Sequence, residues 1–387
     1  MIKKKIALFT TTRAEFGAFV PLIRAIEKSD NLEYVLFVGG SHIGKEFGQT
    51  IEEIRKENIK IARVFDFLLN ENTPASLLKS CGICSMELSH LFQHHEFDIV
   101  CLAGDRYELI PIALASILFR KPIAHLYGGE ITEGIIDEQI RHMLTKSAHL
   151  HFASCHLYAE NVIKMGEESW RVHNVGELVI DNIKRVPVVS KDEVLQQVGI
   201  DPSQNLALLT YHPDTVQNAF ESVNNFKKVI ESLKFYQGQI LITAPGAEVG
   251  STEILKYIEG LVRTDSQFKF IHSLGIVRYY SLLPFCDFMI GNSSSGMLEA
   301  PFFKVPTINV GNRQKGRLLH KSVVNVSCEI DEIKSAINKV TSPEFKNEIK
   351  AMEFMLGDGH AADKIVKVLS TVDFDLKLLT KSLKFER

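Results

Sequence analysis

The feature that most constrains this chain is an alternation. Short apolar runs, each too brief for a helix, are followed by segments with helical spacing, and the order repeats along most of the sequence. In the first half the predicted strands are Lys5–Thr10, Tyr34–Gly39, Arg63–Phe67, Asp98–Ala103, Pro122–Leu126, Leu150–Ala153 and Val172–Val175. Helical spacing fills the intervals, at Gly17–Ser29, Ile51–Glu57, Ser76–His90, Tyr107–Phe119, Asp137–Ser147 and Tyr158–Met165. From Arg185 to Pro202 the pattern lapses into prolines, charges and one short helix, and then it restarts. Strands are predicted at Leu206–Thr210, Gln239–Thr243, Phe268–His272, Phe288–Ile290 and Thr307–Val310. Helices are predicted at about Val216–Leu233, Glu253–Val262 and Arg278–Leu283. Short strands apolar on both sides and separated by helices belong to parallel sheets covered on both faces. The expected fold class is therefore α/β, with two Rossmann-like doubly wound domains, residues 1–178 and 179–364, and a cleft between them.

Composition agrees and removes some function classes. A length of 387 residues suits two domains better than one core. A formal net charge of -3 predicts no nucleic-acid partner and no membrane-surface partner. The apolar run Ile6–Phe9 is too short for an export signal and reads as a first buried strand. The longest apolar run, Leu109 to Phe119, falls far short of the roughly 20 residues that span a bilayer. The six cysteines are scattered, and Cys101 and Cys286 lie among apolar residues, so a reducing, cytoplasmic setting is expected.

Polar motifs cluster where the strands end, and ligands of doubly wound sheets bind beyond those carboxyl ends. Gly291-Asn292-Ser293-Ser294-Ser295-Gly296, with Glu299 beyond it, reads as a strand, a tight turn and a helix N-terminus. Free N–H groups, the helix dipole and hydroxyls there favour an anion, whereas Glu299 suits the vicinal hydroxyls of a sugar. An ordinary strand-to-helix connection is the competing reading. Arg13 in Thr11-Thr12-Arg13-Ala14-Glu15-Phe16-Gly17 can clamp a phosphate, and Gly17 lets a backbone come close. Gly104-Asp105-Arg106-Tyr107-Glu108 places a carboxylate and a guanidinium at a strand end, either for use or as a structural pair. In His125-Leu126-Tyr127-Gly128-Gly129-Glu130, two glycines aim Glu130 toward the cleft. On the helix that follows, Asp137 is expected to face Arg141, and Glu138 to face His142, at i,i+4 spacing. Several carboxylates in one site can divide acid and base roles. His212 in Thr210-Tyr211-His212-Pro213-Asp214 can donate to a phosphate, and Asn312-Arg313-Gln314-Lys315-Gly316-Arg317 carries three cations. Cys81-Gly82-Ile83-Cys84 sits inside a helical pattern, so no redox role is expected, and the histidines lack metal spacing.

These motifs, in this order and over nearly the whole chain, resemble the hydrolysing UDP-N-acetylglucosamine 2-epimerases. The resemblance implies a GT-B-like fold whose C-terminal segment, here residues 365–387, returns to the first domain. It implies conversion of UDP-N-acetylglucosamine to N-acetylmannosamine and UDP, the entry step to sialic acid, through a 2-acetamidoglucal that is then rehydrated. It implies no cofactor, no metal, and a homodimer. Asp105, Glu130 and Asp137 become the acid/base candidates. Ser293, Ser294, Arg13 and His212 would contact the phosphates, and Glu299 the ribose. His272, Ser273 and Leu274 would lie by the uracil, Arg313 would support the nucleotide, and Gly17 and Arg106 remain binding candidates. Two departures stand out: Tyr127 stands where some relatives carry a glutamate, and the asparagine that many relatives have near Gly246, in the Pro245-Gly246-Ala247-Glu248 loop, is missing. A sister activity acts on UDP-2,4-diacetamido-2,4,6-trideoxyglucose, toward legionaminic acid. The other classes to weigh are a GT-B glycosyltransferase and a non-catalytic sugar-nucleotide sensor.

Overall fold

Seven strands lie parallel in the first sheet: β1 (Lys4–Thr10), β2 (Leu32–Gly39), β3 (Ile61–Phe65), β4 (Ile99–Ala103), β5 (Ile123–Leu126), β6 (Leu150–Ala153) and β7 (Val172–Asn174). Their spatial order is β3-β2-β1-β4-β5-β6-β7. Six more form a second parallel sheet: β8 (Leu206–Thr210), β9 (Gln239–Thr243), β10 (Phe268–Ile271), β11 (Phe288–Gly291), β12 (Thr307–Val310) and β13 (Val323–Val326). Their order is β10-β9-β8-β11-β12-β13. The computed structural model describes residues 3–44, 49–69, 73–133, 135–213, 219–245 and 250–382. The chain forms two compact units, Met1–Arg185 with Leu356–Arg387, and Val186–Met355.

Side-chain alternation along each strand builds two layers per sheet. Ile6 and Leu8 of β1 pack with the helix Arg13–Glu27, whereas Ala7 and Phe9 pack with Pro74–His94 and Leu109–Leu118. In the second sheet Ala207 and Leu209 of β8 join the helix Ala219–Leu233, and Leu206 and Leu208 face the opposite layer. Each fully buried Leu, Ile or Phe contributes about 1.5–3 kcal/mol, so these layers dominate stability. Among the described residues no helix is long and apolar enough to cross a membrane.

The structure differs from the sequence reading in three places. The first helix begins at Arg13 and not at the predicted Gly17, so Arg13 is a helical residue and Gly17 lies inside the helix. Thr12 and Glu15 form a capping box that holds this start, and burial pushes Glu15 up to about 8 against the bonds from Thr11. Second, β13 and the helices Ile330–Thr341 and Pro343–Lys350 complete the second unit where no element was predicted. Third, the boundary lies at Arg185, and the chain rejoins the first unit at Leu356. The helix Leu178–Arg185 belongs to the first unit because its Asp181 accepts from the N–H groups of Ala361 and Ala362, capping the helix Ala361–Thr371. Beside it the outgoing and returning chains touch at Gly176 and Gly357, both at positive φ, and a Cβ on Gly357 would come within 2.6 Å of Gly176. Arg171, almost wholly buried, then clasps the C-terminal turn by donating to the carbonyls of Leu378 and Thr380, each at 2.8 Å.

Burial holds several histidines neutral. In the first unit His42 and His149 are pushed down to about 4 and His125 to about 3, desolvation being the main cause in each. The unfolded chain takes up protons that the folded one refuses, so stability falls as pH drops below about 6.5. By pH 5 each of the three costs on the order of 2 kcal/mol, about 6 together. Glu15 acts in the opposite sense, because its raised pKa favours the fold as pH falls, but by less than about 3 kcal/mol between pH 7 and 5. The melting temperature of the protein should therefore fall between pH 7 and pH 5 in a buffer series at constant ionic strength. A flat profile there would contradict this accounting.

Candidate active site

Each sheet has a place where the chain leaves two neighbouring strands in opposite directions across the sheet, with the helices that follow them on opposite faces. In the first sheet it lies between β1 and β4, in the second between β8 and β11. Such switch points open a crevice at the carboxyl ends. The motifs from Thr11 and Gly104 fall at the first, and those from Thr210 and Gly291 at the second.

In the first unit Arg141 organises the carboxylates. It is 1% exposed, and Asp105 takes its Nε at 3.0 Å and also its Nη2. Its Nη1 donates to Glu138 at 2.8 Å and to the carbonyl of Glu130 at 2.9 Å, and its Nη2 reaches Thr132 Oγ1 at 3.0 Å. This corrects the expected i,i+4 pair of Asp137 with Arg141: the guanidinium turns to Asp105 and, at i,i+3, to Glu138. The expected Glu138–His142 contact is present at 3.1 Å. Asp105 and Arg106 are not a structural pair either, since Arg106 forks onto buried Glu108 at 2.8 and 3.2 Å. Asp137 is thereby left without that counter-charge at bonding distance. Burial, and then the charge of Asp105, push its pKa up. Two neighbouring carboxyl groups with unequal surroundings can act as acid and base. Glu130 accepts from Ser154 Oγ at 2.8 Å, which orients the side chain that the Gly128-Gly129 turn presents. Behind it, His125 is neutral, and its Nε2 bonds the carbonyl of Gly104 at 2.8 Å, tying the β5 end to the β4 turn. Tyr127 stands at φ 70 and hydrogen-bonds Glu177, and burial raises its phenol well above the ordinary range.

Arg13 is exposed at the first position of its helix and pairs with Glu53 at 2.9 Å. Gly17 has no neighbour within 4 Å of a built Cβ, so nothing close by requires glycine there, and its carbonyl accepts from Asn182 at 2.6 Å.

In the second unit the hub is Asn292. Its Oδ1 accepts the N–H of His212 and its Nδ2 donates to the carbonyl of His212, both at 2.7 Å. Gly291 is required beside it, since a Cβ would lie 1.9 Å from the carbonyl oxygen of Thr210. The carbonyl of Asn292 accepts from Arg313 at 3.2 Å and from Gln314 at 2.9 Å. One side chain and one carbonyl thus bring His212, the serine turn and the basic loop together. The helix Ser295–Phe302 starts immediately after Ser293 and Ser294 and tolerates Pro301 near its end. Glu299 lies on this helix; burial raises its pKa, while Ser295 and the charge of Arg317 act to lower it. His272 and Ser273 follow β10. Leu274 turns its side chain into the core, and Arg278 holds the carbonyls of Ser273 and Leu274 at 3.0 and 2.8 Å. Asp214 and Gly246-Ala247-Glu248 lie outside the described residues.

Sequence reasoning missed the roles of Arg141, Ser154 and Asn292. The signal for Asn292 was its place between Gly291 and the serines, where an amide can bond backbone on both sides. Nothing local announced Ser154, which meets Glu130 only through the β5–β6 pairing.

The two parallel doubly wound sheets, each with a polar switch point, define a GT-B-like α/β protein. The chain belongs to the family described as UDP-N-acetylglucosamine 2-epimerase, whose family model matches residues 24–370. It is 35% identical over 97% of both chains to a GDP/UDP-N,N′-diacetylbacillosamine 2-epimerase (hydrolyzing) of Campylobacter jejuni. It is 30% identical over 88% of both chains to a UDP-N-acetylglucosamine 2-epimerase of Neisseria meningitidis. Among solved structures, a Neisseria meningitidis UDP-GlcNAc 2-epimerase bound to UDP-GlcNAc superposes with a TM-score of 0.74 at 19% identity, covering 95% of this chain and 99% of that one.

Replacing Asn292 by Ala removes both bonds to His212 and leaves backbone groups unpaired, at a cost of about 2–4 kcal/mol. Thermal denaturation should show a clearly lowered transition. An unshifted transition would mean that the turn is held by other contacts.

Proposed function

We propose that this chain is a hydrolysing 2-epimerase acting on a UDP-linked 2-acetamido sugar. The observation that carries the reading is the unequal carboxyl pair, Asp105 on Arg141 and Asp137 with a raised pKa, set in a family whose relatives bear that activity in their names. C2–H of such a sugar is weakly acidic, so its removal needs a positioned base and a stabilised leaving group acting together. One carboxylate takes the C2 proton as the C1–O bond breaks, and the bonding pair leaves with UDP. The product is a 2-acetamidoglucal. Water then adds at C1 while a carboxyl group returns a proton to the opposite face of C2. Asp105, Asp137 and Glu130 are the groups assigned to these transfers. The Ser293–Ser294 turn, His212 and Arg13 are assigned to the diphosphate, Glu299 to the ribose hydroxyls, and Arg313 to support of the turn. Ionic bonding of Arg13 to Glu53 is exposed and exchangeable, so it leaves that assignment open to a phosphate.

Two substrates fit this chemistry. The 35% identity to the Campylobacter enzyme favours the 2,4-diacetamido-2,4,6-trideoxy sugar, which is N,N′-diacetylbacillosamine. The 30% identity to the Neisseria enzyme supports UDP-N-acetylglucosamine. A glycosyltransferase would need an acceptor, and none of the motifs is assigned to one.

The reaction run in deuterated water and followed by NMR separates the readings. Free UDP with a 2-epimerised sugar deuterated at C2 supports the elimination, and the substrate consumed first identifies the sugar. Turnover without deuterium at C2 would sink the mechanism. Asp105→Asn should lower kcat by about 10²–10⁴-fold while UDP affinity changes little. Glu299→Ala should instead weaken UDP about 10- to 100-fold, as loss of a charged hydrogen bond does, in calorimetric titration. The reverse pattern would show that the two roles are misassigned.

A further inference from the structure

A polar cavity lies in the second unit, and none of the residues assigned above to the nucleotide or the proton transfers lines it. It measures about 340 Å³ and opens beyond the carboxyl ends of β12 and β13. That volume is at the lower end of the range, about 300–1,000 Å³, typical of small-molecule sites. Four carboxamides line it: Asn309, Asn312, Gln314 and Asn325. Asn309 and Gln314 are only 3% and 4% exposed, yet Asn309 Oδ1 and Gln314 Oε1 have no protein partner. Their amide nitrogens are satisfied, by Asn325 Oδ1 at 2.9 Å and by the carbonyl of Asn292 at 2.9 Å. Buried polar atoms are nearly always bonded, so orphan acceptors on two residues that line one cavity point to a donor that comes from outside the chain.

We propose that this cavity is a second ligand site, for a neutral polyhydroxylated molecule of monosaccharide size, and that its occupancy is felt at the Asn292 turn. The chemistry selects the class. Carboxamides offer both acceptors and donors, which match the paired donor and acceptor character of vicinal hydroxyls. The wall carries one ammonium, Lys315, and one carboxylate, Glu332, so it has no net preference for an anion. Glu332 is already bonded to the N–H and hydroxyl of Ser327. The coupling runs through Gln314, which lines the cavity and holds the Asn292 carbonyl by its amide nitrogen. A ligand that orders this side chain must alter the turn to which it is bonded, and linkage makes the effect reciprocal.

The coupling rests on the nucleotide role proposed for that turn, whereas the site itself does not. The test uses the full chain with glucose, N-acetylglucosamine and N-acetylmannosamine as probes, read by saturation-transfer NMR and calorimetry. At least one sugar should bind, with affinity retained in Asp105→Asn and weakened at least about fivefold in Asn309→Ala and Asn325→Ala. Asn325 is exposed, so its variant keeps the test open if Asn309→Ala fails to fold. UDP affinity should change at least about twofold when the sugar is bound, and not in Asn325→Ala. Absence of binding by all three sugars overturns the proposal. So does binding indifferent to Asn325→Ala, or an ordered water only on Asn309 Oδ1 and Gln314 Oε1 in sugar-soaked crystals. A UDP affinity that ignores the bound sugar overturns the coupling. Sugar binding by a protein that fails to bind UDP counts against the nucleotide reading and supports the site.

Discussion

The structure depends on a constraint that operates twice, where a parallel sheet changes the side on which its connections run. At β1 and β4, and again at β8 and β11, the following helices must go to opposite layers, because each strand feeds a right-handed crossover from a different direction. The chain beyond those strand ends leaves the sheet, and its backbone is held by side chains and by neighbouring carbonyls: the N–H groups of Thr11 and Thr12 by Glu15, that of His212 by Asn292, and that of Gly104 by Leu126. Polar residues stand there at little cost, while the strands behind them are mostly apolar.

At each switch point one buried polar side chain then decides the local arrangement. Arg141 in the first unit is almost fully buried, a position that is affordable only with its partners in place. It draws Asp105, Glu138 and the Glu130 backbone around itself, and in doing so leaves Asp137 as the odd carboxyl group. Asn292 does the same in the second unit without charge, by bonding His212 through both ends of its amide. The carboxylates thus owe their differences to an arginine, and the Gly291–Ser294 turn owes its shape to an asparagine.

Much of this was legible in the sequence because it is local. The strands from β1 to β12 were read from apolar runs bounded by polar turns, and the polar motifs were placed at their ends, where the structure has them. Val323–Val326 was missed because it is an edge strand with an exposed asparagine, and its pattern does not stand out. Most of the helix Leu178–Arg185 was assigned to the second domain because its partners, Ala361 and Ala362, lie far along the chain. The Asp137–Arg141 pair was expected from helical spacing, worth about 0.2–0.5 kcal/mol at a surface. In the fold a buried guanidinium gains more from forking onto Asp105.

The sequence by itself determined the class of fold, the position of the polar turns and the kinds of side chain at them. These follow from hydrophobic period and from glycine and proline placement, which act over a few residues. Only the tertiary structure decided which carboxylate meets the arginine, where the first unit ends, and which amide oxygens are left buried without partners. Those outcomes depend on pairings between residues distant in the chain. A buried charge or amide must be satisfied by whatever the packing brings within about 3 Å, and sequence spacing carries no record of that choice.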